Sequence, residues 1–91
     1  MPLIRASGRS YPQRDAVYFP MFDMDQMKGV KCSVTFAALS GLGNLTAPWE
    51  FVETFERHRT YFEGCASSKY DLTGEQPPRL LPEDVFARRE R

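Results

Sequence analysis

Residues 51–70 carry a helical pattern of apolar residues that needs a second layer to pack against. At 100° per residue, the apolar side chains of this segment fall on one stripe and its charged side chains on the opposite face. The stripe consists of Phe51, Phe55, Phe62 and Ala66, and it is widened by Val52 and Cys65. The pattern therefore predicts a helix whose apolar face lies on a β-sheet.

The bounds of this helix follow from residues that favour helix ends. Thr46 is suited to the N-cap, Pro48 to the first turn, and Glu50 to the positive end of the helix dipole. Gly74 and a pair of prolines come later, in a segment typical of a loop. We predict one long helix over residues 47–70.

Two segments before the helix have the pattern of β-strands. Residues 30–36 alternate apolar and polar side chains, which is typical of a half-buried strand. Residues 16–22 place Val17, Phe19 and Met21 on one face, and a short polar turn joins the two segments. They are predicted to form a β-hairpin. Pro20 has no N–H to donate, so its strand is predicted to lie at a sheet edge.

Shorter elements complete the predicted fold. Thr35 is suited to cap a short helix with the sequence FAALSGL, and residues 79–81 are predicted to form a third strand. Pro82 opens a final helical turn. We predict an α+β fold, in which a small antiparallel sheet of about three strands is packed by one long helix and short helical turns.

The length of 91 residues corresponds to one small domain. We assign residues 15–87 to a single α+β domain. Residues 1–14 contain arginine, serine and proline without periodicity, and are predicted to be a loose N-terminal tail. Residues 88–91 form a basic C-terminal end.

Composition and charge exclude several classes of protein. Twelve basic residues balance twelve acidic ones, so the chain lacks the broad basic field that non-specific nucleic-acid binding needs. No apolar run approaches the ~20 residues of a membrane span, and the N-terminus lacks the apolar segment of a secretory signal. Cys32 and Cys65 do not make a disulfide framework. We therefore expect a cytoplasmic protein with reduced thiols.

Four residues are candidates for binding. His58 and Arg59 lie on the two shoulders of the apolar stripe, where a side chain can reach an acceptor at the rim of the core. Trp49 projects away from the stripe at the start of the helix, and aromatic residues of this kind anchor interfaces. The fourth candidate is Lys69. Two ion pairs, Glu53–Arg57 and Arg59–Glu63, are expected along the helix at a spacing of four residues.

The histidine and the cysteines do not predict catalysis. His58 and Cys65 lie ~10 Å apart along the helix axis, too far to share a hydrogen bond or a metal ion. Cys32 alternates with valines and is interpreted as a small buried hydrophobic residue. We expect no catalytic residue, no metal site and no cofactor.

The order of these motifs resembles a known family. The chain has an aromatic strand, VYF, then a V-x-C-x-V strand, a short helix with a leucine, a long helix and a final L-x2-E-D-V. Over about residues 15–86 this resembles an uncharacterised family of short bacterial proteins, the domain of unknown function fourteen eighty-eight. The resemblance implies a small α+β domain, a bacterial source and no assigned activity. The matching positions are Phe19, Val30, Cys32, Val34, Leu39, Phe55, Arg59, Phe62, Ala66, Lys69 and Asp84.

One functional expectation and two alternatives follow. We expect a small non-enzymatic, cytoplasmic interaction or accessory protein with a protein partner, because catalytic constellations are missing and aromatic surface is expected near Trp49 and Tyr61. The first alternative is a nucleic-acid-associated regulator that uses the basic ends and a local patch of Arg57, Arg59 and Lys69. The second is a thiol-dependent enzyme that uses His58 with Cys32 or Cys65. No membrane partner is expected, and a homodimer stays open.

Overall fold

The computed structural model describes residues 3–43, 45–74 and 77–86, with the backbone alone for Phe86. The basic end at residues 88–91 lies outside these ranges. In chain order the elements are β1 (Leu3–Arg5), β2 (Tyr11–Gln13), β3 (Ala16–Asp23), β4 (Lys28–Thr35), α1 (Phe36–Ser40), α2 (Pro48–Arg57), α3 (Arg59–Thr73), β5 (Arg79–Leu80) and α4 (Pro82–Phe86).

The sheet has five strands, two more than predicted. β3 and β4 form the predicted antiparallel hairpin, in which Phe19 stands opposite Cys32. β1 and β2 pair antiparallel with the other edge of β3, whereas β5 pairs parallel with β4. The predicted α+β class is confirmed. The prediction of about three strands, all antiparallel, is corrected to a mixed sheet of five.

Two of the strands lie within the segment that was predicted to be a loose tail. Leu3 of β1 stands opposite Asp23, and Tyr11 of β2 stands opposite Tyr18. Leu3 is only 4% exposed and belongs to the core. Strands of three residues are too short to show alternation in a sequence. They form here because the edge of β3 presents backbone groups that need hydrogen-bond partners, so the loose-tail prediction is wrong for β1 and β2.

The position of Pro20 also differs from the prediction, because its strand does not lie at a sheet edge. β3 lies inside the sheet, between β4 on one side and β1 and β2 on the other. Pro20 falls between the residues that pair with β1 and those that pair with β2. Gly8 lies against Pro20 at this gap and has a φ of 129°. A Cβ on Gly8 would come within 3.1 Å of the proline ring. The missing N–H is therefore accommodated at a break in the pairing, not at a sheet edge.

The predicted long helix is two helices that meet at His58. The backbone of His58 leaves the helical region, with φ −118° and ψ 25°. Its N–H is shared between the carbonyl oxygens of Thr54 and Phe55, at 3.3 and 3.0 Å. Its ring atom Nδ1 lies 3.2 Å from the Thr54 oxygen as well. A side chain that competes for a carbonyl of the helical ladder is a known cause of a kink, so a single helix over residues 47–70 is corrected to α2 and α3.

Local chemistry sets the helix ends. Thr35 Oγ1 accepts a hydrogen bond of 3.1 Å from the Ala38 N–H, so Thr35 caps α1 as predicted. Ala47, not Thr46, holds the N-cap position of α2. The carboxylate of Glu50 instead accepts the N–H groups of Thr46 and Ala47, at 2.8 and 3.0 Å.

The helices cover one face of the sheet and bury the predicted apolar stripe. The ring centroids of Phe19 and Phe55 are 4.7 Å apart, and those of Phe55 and Phe62 are 5.6 Å apart. All three side chains are fully buried. Each contributes about 1.5–3 kcal/mol relative to an exposed side chain, so this aromatic column stabilises the packing of the two layers. None of the helices in the described ranges is long and apolar enough to cross a membrane.

Candidate functional site

A polar groove lies where α2 meets α3, with a volume of about 350 Å³. β1 supplies Arg5, the end of α2 supplies Arg57, and the start of α3 supplies Arg59. The fold thus places two of the predicted binding residues, His58 and Arg59, side by side at one site. We call this the polar groove; its lining residues are Arg5, Glu56, Arg57, His58, Arg59, Thr60 and Tyr61.

Arg59 is held in place by two carboxylates. Its Nε donates to Glu63 at 2.9 Å, which is the ion pair predicted from the sequence. Its Nη1 donates to Glu56 at 3.2 Å. The guanidinium carbon also lies 5.8 Å from the centre of the Phe55 ring, within range of a cation–π contact. With 11% of its side chain exposed, Arg59 is nearly buried and has a fixed orientation.

The same carboxylates tie the N-terminal strands to the helices. Glu63 accepts a hydrogen bond of 2.8 Å from Nε of Arg5. Glu56 accepts a hydrogen bond from the Ser10 hydroxyl, on the segment between β1 and β2. Burial alone would raise the pKa of Glu56, but the hydrogen bond from Ser10 and the charge of Arg59 lower this pKa below its usual value. Glu56 is therefore ionised at neutral pH, and the two carboxylates link β1, α2 and α3.

One nitrogen of this network is unsatisfied. Nη2 of Arg59 is buried and has no hydrogen-bond partner among the residues that the structure describes. Buried N–H groups almost always have an acceptor, and a missing one costs about 1–3 kcal/mol. The Phe55 ring offsets part of this cost. Arg59 lines the polar groove with other atoms, because Nη2 itself is closed to solvent.

Arg57 is the uncommitted charged group of the groove, and the exposed ring of His58 lies beside it. The predicted pair between Glu53 and Arg57 does not form, and Arg57 makes no ion pair within residues 3–43, 45–74 and 77–86. His58 is exposed, and its Nδ1 faces the Thr54 carbonyl. These two side chains are available to an incoming ligand.

An apolar cleft adjoins the polar groove. It has a volume of about 310 Å³ and is lined by Leu42, His58, Tyr61 and Val85. The hydroxyl of Tyr61 donates to the carbonyl of Val85 at 2.5 Å, which fixes the ring and attaches α4 to α3. His58 and Tyr61 line both spaces, so the polar groove and the apolar cleft share a wall.

The other two predicted binding residues lie elsewhere. Trp49 is 64% exposed in the first turn of α2. Lys69 Nζ donates to the Asp84 carboxylate at 2.7 Å and to the Arg79 carbonyl at 2.6 Å. Lys69 therefore holds β5 and α4 against α3.

Both thiols lie in the core and are free of disulfide bonds. Burial raises the pKa of Cys32 to about 12, because the thiolate would lose its hydration. A thiol in this state is a weak nucleophile. In the described part of the chain, no three histidine, cysteine or acidic side chains cluster closely enough to hold a metal ion.

Sequence reasoning missed Arg5, Ser10 and Tyr61 as parts of the site. Arg5 and Glu63 are separated by 58 positions, and Ser10 and Glu56 by 46. No helical or strand period connects residues at such separations. The aromatic surface expected near Tyr61 was a partial signal for the apolar cleft.

Comparison with protein-family models matches residues 7–79 to the model described as "Protein of unknown function (DUF1488)". The match begins within the segment between β1 and β2, includes the whole polar groove except Arg5, and ends in β5. No curated protein and no solved structure matches the chain.

Proposed function

This chain belongs to the DUF1488 family, and we propose that it is a non-enzymatic, cytoplasmic interaction protein of bacteria whose protein partner binds where the polar groove meets the apolar cleft. The observation that carries the proposal is the shared wall of the two spaces. It places the uncommitted Arg57 next to a cleft lined by Leu42 and Val85. Interfaces commonly combine an apolar centre with a polar, charged rim.

The burial of both thiols and the contact made by the His58 ring support binding over catalysis. A thiol enzyme needs an accessible thiolate with a base beside it. Cys32 and Cys65 are both buried, and the ring of His58 faces the carbonyl of Thr54. Two of the three residues of the alternative nucleic-acid patch, Arg59 and Lys69, are engaged in ion pairs.

Site-specific photo-crosslinking in cells tests the proposal. A benzophenone amino acid replaces Thr60, in the polar groove, and Met27 as the control. Met27 is 71% exposed on the β3–β4 turn and lines neither the polar groove nor the apolar cleft. We expect a defined protein adduct from position 60 and none from position 27.

The captured protein is then purified and its affinity measured. Binding to the wild type should exceed binding to Leu42→Glu, which puts a charge into the apolar cleft, by at least about tenfold. An adduct pattern that is the same at both positions, or no adduct at position 60, contradicts the proposed function.

A further inference from the structure

We propose that the polar groove binds a single carboxylate of the partner, while the apolar group attached to that carboxylate enters the adjoining cleft. This inference rests on the proposed function and specifies its ligand. The chemistry is that of an acidic group, a side chain or a chain terminus, joined to one bulky apolar residue. Three features of the site support it: its charge balance, its fixed arginine side chains and its shape.

The charge balance favours one negative charge. Three arginines surround the groove, and two of them are already paired with Glu56 and Glu63. Arg57 is the third arginine, and it has no ion-pair partner among the described residues. Glu56 and Glu63 lie beside these arginines. They would repel a dianionic phosphate or the closely spaced charges of a nucleic-acid backbone. A carboxylate matches the single surplus charge.

The donors are fixed before the ligand arrives. Glu63 anchors both Arg5 and Arg59, and Glu56 holds Nη1 of Arg59. Side chains that are already immobilised lose little conformational entropy when a ligand binds. The exposed Arg57 stands beside these fixed side chains and supplies a guanidinium, the group best suited to bind a carboxylate.

The shape limits the size of the apolar group. At about 310 Å³ the cleft lies at the lower end of the ~300–1,000 Å³ typical of small-molecule sites. It therefore has room for one apolar side chain, from the size of leucine to that of an aromatic residue. Because His58 and Tyr61 line both spaces, a carboxylate and an apolar group must be close neighbours in the ligand to occupy both.

Two small probes that differ only in charge test the inference. N-acetylleucine carries a carboxylate next to one apolar side chain, whereas N-acetylleucinamide has a neutral amide in its place. Each is titrated into the ¹⁵N-labelled protein, and amide shifts are followed by NMR. We expect N-acetylleucine to shift the signals of residues 57–61 and to bind at least about tenfold more tightly than the amide, as for a hydrogen bond to a charged group.

Matched variants and a third probe locate the charge. Arg57→Gln should weaken N-acetylleucine binding about three- to tenfold. Lys31→Gln removes an exposed positive charge from the opposite side of the sheet, at β4, and should leave binding unchanged. Inorganic phosphate should bind more weakly than N-acetylleucine.

Three results overturn the inference: equal binding of the acid and the amide, no local shifts with N-acetylleucine, or tighter binding of phosphate. If one of these is found while position 60 still crosslinks a specific protein, the proposed function stands and only the carboxylate assignment fails. If the crosslink is also absent, both fail.

Discussion

The hydroxyl of Tyr70, on α3, donates a hydrogen bond of 2.5 Å to Oδ2 of Asp23, at the end of β3. Asp23 is almost fully buried, and its other oxygen accepts the N–H groups of Asp25 and Gln26 at 2.9 and 3.0 Å. One carboxylate thus fixes the β3–β4 turn and attaches it to α3. The hydrogen bond from Tyr70 is the main cause of the lowered pKa of Asp23.

This contact predicts a loss of stability at alkaline pH. The hydrogen bond to Asp23 raises the pKa of Tyr70 to about 12 from an ordinary value of 10.0. Because the folded pKa is the higher one, the contribution is complete below pH 10 and is lost as the pH rises towards 12. We expect the free energy of unfolding to fall between pH 10 and 12 more steeply in the wild type than in Tyr70→Phe.

Urea unfolding followed by circular dichroism at several pH values measures this difference. Tyr11→Phe, which removes an exposed hydroxyl, is the control and should behave as the wild type does. At neutral pH, Tyr70→Phe should lower Tm by roughly 5 °C, because a buried acceptor loses its donor. Identical pH profiles for wild type and Tyr70→Phe would contradict the prediction.

Replacement of Arg59 should destabilise the fold strongly. Arg59→Leu leaves the nearly buried Glu63 with only Arg5 and removes the cation beside Glu56. We expect a loss of about 3 kcal/mol in the free energy of unfolding. Arg59→Lys should recover only part of it, because an ammonium group cannot donate along the two directions that guanidinium uses.

Arg57→Leu is the matched control, since Arg57 is exposed and adjacent in the groove. It should change stability by less than about 0.5 kcal/mol. A cost below about 1 kcal/mol for Arg59→Leu would mean that the network adds little to stability.

Two neighbouring residues test whether β1 is part of the fold. Leu3 is 4% exposed and faces the core, whereas Ile4 is 46% exposed and lies on the other face of the strand. We expect Leu3→Ala to cost about 2–3 kcal/mol and Ile4→Ala less than about 1 kcal/mol. Chemical denaturation measures both. If the two substitutions have equal and small effects, the N-terminal segment does not pack as described.

Both thiols should react slowly in the folded protein. A thiol with a pKa of about 12, as in Cys32, is almost entirely protonated at pH 8. We expect a disulfide reagent to modify the native protein at least about a hundredfold more slowly than free cysteine, and to modify both thiols once urea unfolds the chain. A native rate at or above that of free cysteine would revive the thiol-enzyme alternative.

Much of the fold could be predicted from local patterns. The alternation of residues 30–36, the stripe that contains Phe55 and Phe62, and the cap at Thr35 all predict elements that the structure has. The family resemblance is confirmed as well, by the match over residues 7–79. The pair of Arg59 and Glu63 was predictable because both partners lie one helical turn apart.

The kink at His58 could not be predicted in this way. Nothing in the sequence near His58 breaks a helix, because no proline or glycine stands there. The break is associated with the ring of His58, which competes for the carbonyl of Thr54. A histidine in the middle of a helical pattern is compatible with a straight helix too, so periodicity alone does not distinguish the two outcomes.

Local sequence patterns predict the hairpin, the amphipathic helical stripe and the apolar residues of the core. Periods of 2 and 3.6 residues carry that information. Other features depend on long-range packing: Leu3 and Tyr11 extend the sheet, Arg5 pairs with Glu63, and the polar groove adjoins the apolar cleft. These contacts join residues far apart in the chain, and they depend on which edges and faces remain open once the layers have packed.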